Sequence, residues 1–399
     1  MLFQILREIG APAPNIFYNY SDDEESTDDE SDDGTASGNA DATAHKPAAR
    51  AKQPALDPVN CAGCANRRAL HSAALASGWE TFVAATSILF VPGEFERRVL
   101  REMPPKWGIG RQTRSWMLMT VLLLSTFNIV EEVTQREGFV LFCALFCVAK
   151  NAEQLRLIFD GRTLNELCHT PPPISLPSIV EVLARANAAR LVISGDLRHY
   201  FHQLSTPSQV GRFLGVKCGK KFFKYKTLPM GLSWSPHIAQ SISFLLLTHR
   251  EKGAKNFFDT DAFMQGQRLP KEVTVLKDGV PVGFAVIVYD NFGIFLDIDD
   301  KKFAKEIADR LIANARHFNI KWKELQILAA TATLWIVKDE ITQSKETREW
   351  VPYDKKKPPH FLGVELDLSA ESSSMTVMMT LTRNSVKRRK SMTKALRHF

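Results

Sequence analysis

The chain has 399 residues, of which 45% are hydrophobic and 24% charged, a globular composition with room for two or three subdomains. Nine acids and no base lie between Asp22 and Asp33, and this block is the difference between a net charge of +7 overall and +16 on the remainder. Such a basic body suits a polyanionic partner, although basic surfaces also serve solubility. Six scattered cysteines do not form a disulfide framework and point to a reducing, intracellular compartment, nucleus or cytoplasm.

Residues 1–60 read as an acidic, low-complexity segment that lacks the apolar surface to fold. Arg7 and Glu8 interrupt its only early apolar stretch, so no signal peptide is expected. Residues 61–135 read as helical, broken at Pro92-Gly93 and Pro104-Pro105. The uncharged run Ser115 to Val130 is too short for a membrane span and reads as a buried helix. Cys61 and Cys64 with His71 are half of a zinc site at most, and two free thiols are the better reading.

From Phe139 the pattern turns to strand. FVLFCALFCVAK (139–150) and Arg156 to Phe159 read as buried strands. PPPISLPS (171–178) is an extended loop that delivers a helix over 179–189. LVISGDL (191–197) is a buried strand ending in an acid, followed by a strand pair near 213–225 and a helix starting after Pro236. AVIVYDNFGIFL (285–296) predicts two strands joined at Asp290-Asn291. Lys301 to Phe318 is an amphipathic helix with Phe303, Ile307, Leu311 and Ile312 on one face. Strands and helices interleave around a local hairpin, which makes the fold class α+β.

Two acids end apolar runs, Asp196 after LVISG and Asp290 after AVIVY. Burying such a group is costly unless it is paired or metal-bound. Nucleotidyl transfer uses two divalent ions about 3.5–4 Å apart, held by carboxylates at the ends of neighbouring strands. Either acid alone reads as an ordinary turn residue; the flanks decide otherwise.

SGDLRHYFHQL (194–204) resembles motif A of retroelement reverse transcriptases, and TLPMGLSWSPHIAQ (227–240) resembles motif B. VIVYDNFGIFL (286–296) is similar to the motif C hairpin, RLIFDGRTLNE (156–166) to a fingers segment, and HFLGVEL (360–366) to the primer grip. The five occur in family order between about residues 140 and 368. The wording FDGRTLNE…PPP and the Tyr-Asp-Asn hairpin also resemble DIRS-like elements and the VIPER type of trypanosomatids.

The resemblance implies a right hand: fingers and an antiparallel-sheet palm over 136–368, and a short thumb or basic tail over 369–399. It implies Mg²⁺ or Mn²⁺ held by Asp196 and Asp290, dNTPs as substrates, and a primed RNA or DNA template; no membrane partner is expected. Phe201 matches the steric gate against a ribose 2′-hydroxyl, which argues against an RNA-dependent RNA polymerase; a plain core Phe is the alternative. Arg156 and Lys150 match the triphosphate-binding bases, with a solvated base beside a strand as the alternative. Met230 and Gly231 match the motif B turn, where backbone approaches template and nucleotide. Lys323 matches a proton donor to pyrophosphate, with Lys321 competing. Phe361, Leu362 and Gly363 match the primer grip.

Three departures stand out. Asn291 replaces the second motif C acid, so lower activity, a changed metal preference or a non-catalytic nucleic-acid-binding remnant are the consequences. The stretch from Gln240 to Asp290 is long. Nothing in the sequence resembles a ribonuclease H or recombinase domain. The basic run SVKRRKSMTKALRHF (385–399) suits a nucleic-acid backbone or nuclear import, with a solvated tail as the plain alternative.

Overall fold

The computed structural model describes residues 55–56, 61–76, 114–134, 141–149, 154–186, 188–206, 208–211, 213–260, 269–329, 332–338, 349–352, 360–361, 364–367 and 378–381. In chain order the elements are β1 (Ala55–Leu56), α1 (Arg67–Ala76), α2 (Arg114–Thr126), β2 (Val130–Val133), β3 (Ala144–Ala149), β4 (Gln154–Asp160), α3 (Arg162–Leu167) and α4 (Ile179–Ala186). Then follow β5 (Leu191–Leu197), α5 (Tyr200–Gln203), α6 (Ser208–Gly211), β6 (Gly215–Cys218), β7 (Lys221–Tyr225), α7 (Trp234–Thr248), β8 (Val273–Lys277), β9 (Val280–Val288) and β10 (Asn291–Leu296). The last are α8 (Lys301–Phe318), β11 (Trp322–Leu328), β12 (Ala332–Lys338), β13 (Trp350–Pro352), β14 (His360–Phe361), β15 (Val364–Asp367) and β16 (Met378–Leu381). Helix and sheet are mixed, as the α+β reading required.

The chain divides into two units, residues 1–57 with 147–156, and residues 58–146 with 157–399. In the first, β1 runs parallel to the start of β4, with Ala55 opposite Gln154. The second holds the central sheet, seven strands in the order β13-β12-β11-β5-β10-β9-β8, every neighbouring pair antiparallel. A smaller sheet, β2-β7-β6, places Glu131 and Glu132 of β2 against Lys224, Lys226 and Lys221 of β7 and the residue after it.

Alternation along the strands sends side chains to opposite faces. One face of the central sheet carries Leu191, Ile193, Leu197, Ala285, Ile287, Phe292, Ile294, Leu325 and Ile327, buried with α7, α8 and α1 in the main core. The other carries Val192, Phe284, Val286, Phe295 and Leu328, packed with Val182 and Ala186 of α4 and with Phe361.

Local chemistry sets the helix ends. Ser178 and Glu181 form a capping box at α4, the Glu181 amide donating to the Ser178 hydroxyl and the Ser178 amide to the Glu181 carboxylate. Asp300 accepts from the Phe303 amide to cap α8, which ends at Asn319 in the left-handed conformation.

Three boundaries differ from expectation. Helix α7 begins at Trp234 and contains Pro236, because a proline in the first turn removes no intrahelical hydrogen bond. The region 61–135 is not helical throughout: β2 follows α2, since Asn128 takes a positive φ of 58° and turns the chain into a strand paired with β7. The hairpin turn is Tyr289-Asp290, one residue earlier than expected, because Asn291 is already paired opposite Val288. No helix of the described residues is long and apolar enough to cross a membrane.

Candidate active site

The strand register brings the sequence's candidate residues together at one end of the central sheet. Asp196 of β5 stands opposite Asn291 of β10 on one side and Glu324 of β11 on the other. Asp290 occupies the β9–β10 turn beside them, and its carbonyl oxygen accepts from the Leu197 amide at 2.9 Å. Asp196 and Asn291 lie on the sheet face away from α7 and α8, the parity shared by Val192 and Phe295.

Lys323 reaches this face through a bulge. Trp322 pairs with Leu197 and Glu324 with Asp196, so two steps on β11 match one on β5 and Lys323 is the extra residue. A bulge re-aims side chains: Trp322 and Leu325 both enter the main core, and the residues between them turn to the other face. The Lys323 ammonium then bonds the Asp196 carboxylate at 2.7 Å. Partial burial disfavours the charge on Lys323, but the Asp196 carboxylate, with Glu324 and Asp290 beyond it, outweighs this and holds its pKa above the usual value. Lys321, the competing candidate, is engaged through its backbone, its carbonyl accepting from the Arg198 amide and its amide donating to Gln203.

The hairpin is held from behind. Tyr289 takes a φ of 55°, in the left-handed region that is unfavourable for a bulky residue. Its amide donates to Gln240 Oε1 at 2.7 Å and its carbonyl accepts from the Ser243 hydroxyl at 2.5 Å, while Gln240 Nε2 donates to Ile287 O at 2.8 Å. These α7 side chains satisfy the turn that presents Asp290. Next to Asp290, the Asn291 amide nitrogen donates to its carboxylate at 2.9 Å. Burial pushes the Tyr200 phenol up; the Ser243 hydrogen bond opposes this and the charge of Asp290 adds to it.

Phe201 is half-buried, its ring 6.3 Å from that of Tyr289 and 6.4 Å from that of Tyr200. Met230 and Gly231 form the turn before α7. The Met230 carbonyl accepts from the Phe159 amide at 2.8 Å. Gly231 takes a φ of 120°, and a Cβ there would lie 1.9 Å from Phe159 O. The close approach that demands glycine is therefore to the chain's own β4. Asn165 braces the turn, donating to Gly231 O at 3.0 Å and accepting from the Ser233 amide at 2.8 Å. Phe361 is buried and fills the space left by Gly293, the next residue of the site face after Asn291. Arg156 is exposed on β4 in the first unit. Lys150, Leu362 and Gly363 lie outside the described residues, as do the acidic block and the basic run 385–399.

A hard divalent ion needs oxygen donors. Among the described residues no group of three or more His, Cys, Asp or Glu side chains could hold a metal. Asp196 and Asp290 are the carboxylates that the motifs single out, Glu324 stands opposite Asp196 as a further acid, and an ammonium already sits on Asp196. That donor set fits Mg²⁺ or Mn²⁺, which are commonly held by one or two carboxylates and completed by phosphates and water. The Cys61–Cys64 pair is not such a site: neither thiol is in a disulfide, Cys61 Sγ lies 3.7 Å from Arg198 O, and Cys64 Sγ lies 3.3 Å from Gln203 Oε1 and from Asn319 O.

Sequence reasoning missed Gly195, Gln203, Gln240, Ser243 and Asn165. Gly195, Gln203, Gln240 and Asn165 lie inside the stretches that carry the resemblance, so their signal was position in a motif. Ser243 carries no signal in the sequence.

No family model matches the chain. Over 137 residues it is 25% identical to the transposon Tf2-3 and Tf2-4 polyproteins of Schizosaccharomyces pombe, a match covering 34% of this chain and 10% of each polyprotein. The chain thus spans about a tenth of the length of these curated relatives. It is similar to transposon polyproteins. Among solved structures, it is similar to a prototype foamy virus protease-reverse transcriptase mutant, with a TM-score of 0.39 at 14% identity over 56% of this chain and 25% of that one. The foamy viral protease-reverse transcriptase in complex with dsDNA gives a TM-score of 0.43 at 12% identity, over 71% and 44%.

Proposed function

We propose that this chain is the polymerase core of a retroelement reverse transcriptase, extending a primer with dNTPs on an RNA or DNA template. The observation that carries this reading is the convergence of Asp196, the Asp290 turn and Lys323 at one end of the central sheet, through paired strands and a bulge. The ordered motifs and the likeness to transposon polyproteins support it. The narrower placement among DIRS-like elements rests on the wording of residues 159–173 and of the Tyr289-Asp290-Asn291 turn alone. In this reading the central sheet is the palm of a right hand, the fingers come from residues 135–190 and part of 205–230, and described cysteines that form no disulfide suit an intracellular site of action.

Asp196 and Asp290 would hold Mg²⁺ or Mn²⁺, and the chemistry supplied there would be activation of the primer 3′-hydroxyl and neutralisation of charge on the phosphates. Phe201 lies beside the deoxyribose and excludes a 2′-hydroxyl. Arg156 and Lys150 pair with the triphosphate. Met230 and Gly231 present backbone to the base pair, and Phe361, Leu362 and Gly363 seat the primer. Lys323, held against Asp196, would donate its proton to the departing pyrophosphate.

One observation favours a second reading, a nucleic-acid-binding remnant: the Asn291 amide nitrogen donates to the Asp290 carboxylate that the ion would need. Primer extension on poly(rA)/oligo(dT) with Mg²⁺ or Mn²⁺ separates the two. Incorporation of dTMP that is lost in Asp290→Asn is expected. No incorporation with either metal at high enzyme supports the remnant, preference for rNTPs supports an RNA polymerase, and an equally active Asp290→Asn removes the assigned metal ligand.

A further inference from the structure

We infer that Gln203 is a positioning residue that sets Lys323 against Asp196; its catalytic consequence rests on the polymerase reading above. Gln203 is fully buried, and its amide makes every hydrogen bond an amide can make. Its Nε2 donates to Arg198 O at 2.5 Å and to Lys321 O at 3.0 Å. Its Oε1 accepts from the Lys321 amide at 2.7 Å and from the Cys64 thiol at 3.3 Å.

The placement of these partners is what matters. Arg198 lies two residues after Asp196, and Lys321 lies two residues before Lys323. Their backbones also bond directly, Arg198 N to Lys321 O at 3.1 Å. One side chain therefore ties together the exit of β5 and the entry of β11. This is the point at which the pairing slips and Lys323 becomes the bulged residue. A bulge costs a ladder hydrogen bond and admits other registers. Without the staple, β11 is free to continue the Glu324–Asp196 register in regular alternation, which puts Lys323 opposite Leu197 on the core face. The lysine would then leave the carboxylate. The segment before α1 braces the staple from outside, through Gly63 N to His202 O at 2.7 Å and Ala65 N to Gln203 O at 3.1 Å.

The test uses the full chain with Gln203→Leu, which removes all four bonds, and Gln203→Asn, which keeps the amide but draws it back by one methylene. Competitive acetylation reads the freedom of the Lys323 ammonium relative to Lys220, an exposed lysine of the same chain. Lys323 in the wild type is expected to react several-fold more slowly than Lys220. Both variants should bring it to within about twofold, as should Asp196→Asn. If Lys323 stays protected in folded Gln203→Leu and Gln203→Asn, the inference is overturned, whatever the enzyme does. Should Gln203→Leu fail to fold, Gln203→Asn decides alone. Primer extension then reads the consequence: Gln203→Asn combined with Lys323→Ala should be no slower than Lys323→Ala alone. Additive losses would show that Gln203 does not act through Lys323. Absence of wild-type extension, with acetylation behaving as expected, overturns the polymerase reading and leaves the positioning role standing.

Discussion

Asn291 sets the charge of the proposed site. Its amide nitrogen donates to Asp290, so the free protein carries one carboxylate fewer and one hydrogen bond more than an Asp-Asp turn would. Replacing it by Asp turns a donor into a second acceptor beside a like charge. Asn291→Asp should lower the metal-free melting temperature by about 2–4 °C, the equivalent of roughly 1 kcal/mol, and added Mg²⁺ should restore it. Extension at low Mg²⁺ should rise, with less effect at saturating Mn²⁺, because charge count sets affinity for a hard cation. A thermal scan with and without metal checks the first and a Mg²⁺ titration the second; a melting temperature indifferent to both changes would show that the two side chains do not interact. Gly231 is a different residue-scale case. Both Gly231 and Gly253 have positive φ, but a Cβ meets Phe159 O at 1.9 Å in the first and nothing within 4 Å in the second. Gly253→Ala should cost about 1 kcal/mol from the backbone conformation alone, and Gly231→Ala at least about twice that, because a backbone oxygen cannot step aside. Urea midpoints of the two variants would contradict this if they were equal.

At the scale of elements, the bulge on β11 places a lysine where regular pairing would not, and the glycine before Asp196 makes the bulge possible. A Cβ on Gly195 would lie 2.6 Å from Trp322 Cζ3 and 2.9 Å from Leu325 Cδ1, the two side chains that cross into the core on either side of the bulge. Gly195→Ala should therefore destabilise by about 1–3 kcal/mol as overpacking and slow primer extension through displaced Lys323. Trimming the obstacle in Gly195→Ala/Trp322→Leu should recover part of the activity that Trp322→Leu alone does not change. Additive damage in the double variant would place the fault elsewhere. This bulge also marks the limit of what the sequence discloses. Strand β5 and helix α8 were legible to the residue, because an apolar run bounded by turns and a clean 3.6-residue stripe each have one reading. The acids at the ends of β5 and β9 were legible from their flanks. The register that pairs Asp196 with Asn291 was not, and neither were the one-residue slip at Lys323 and the clamp of Gln240 and Ser243 on the Tyr289 turn. Those depend on contacts between segments 40 or more residues apart, which periodicity cannot encode.

On the scale of the whole molecule, the second unit is joined at a point where polar groups are buried. The loop Cys61 to Asn66, α5 and the end of α8 meet around His202 and Gln203. Gly63 donates to His202 O, Asn66 to Phe318 O, and the His202 ring lies 3.3 Å from the Thr227 hydroxyl. His202 is buried, and burial, with the nearby His199, pulls its pKa down to about 4. The unfolded chain takes up this proton near the ordinary value of about 6.5. Between those values the unfolded state binds a proton that the folded state refuses, so stability rises with pH across the window and is lost as pH falls from about 6.5 toward about 4. The difference amounts to about 3 kcal/mol for His202. His237 and His249, also held low by burial, act in the same direction. Glu131 and Asp300 are lowered by Lys224 and Lys277 respectively, and they extend the loss to lower pH, through the ordinary carboxylate range. Urea midpoints taken from pH 7.5 down to pH 4.5 should fall steeply in the wild type. His202→Gln keeps a hydrogen-bonding group for Thr227 and removes the titration, so its midpoint should be lower at pH 7.5 and should decline less over the same range. The two curves should approach each other near the acid end, since the neutral imidazole contributes to the wild type only where the unfolded histidine is also neutral. Parallel curves would mean that His202 does not stay uncharged in the fold, and the junction around it would then have to open as the pH falls.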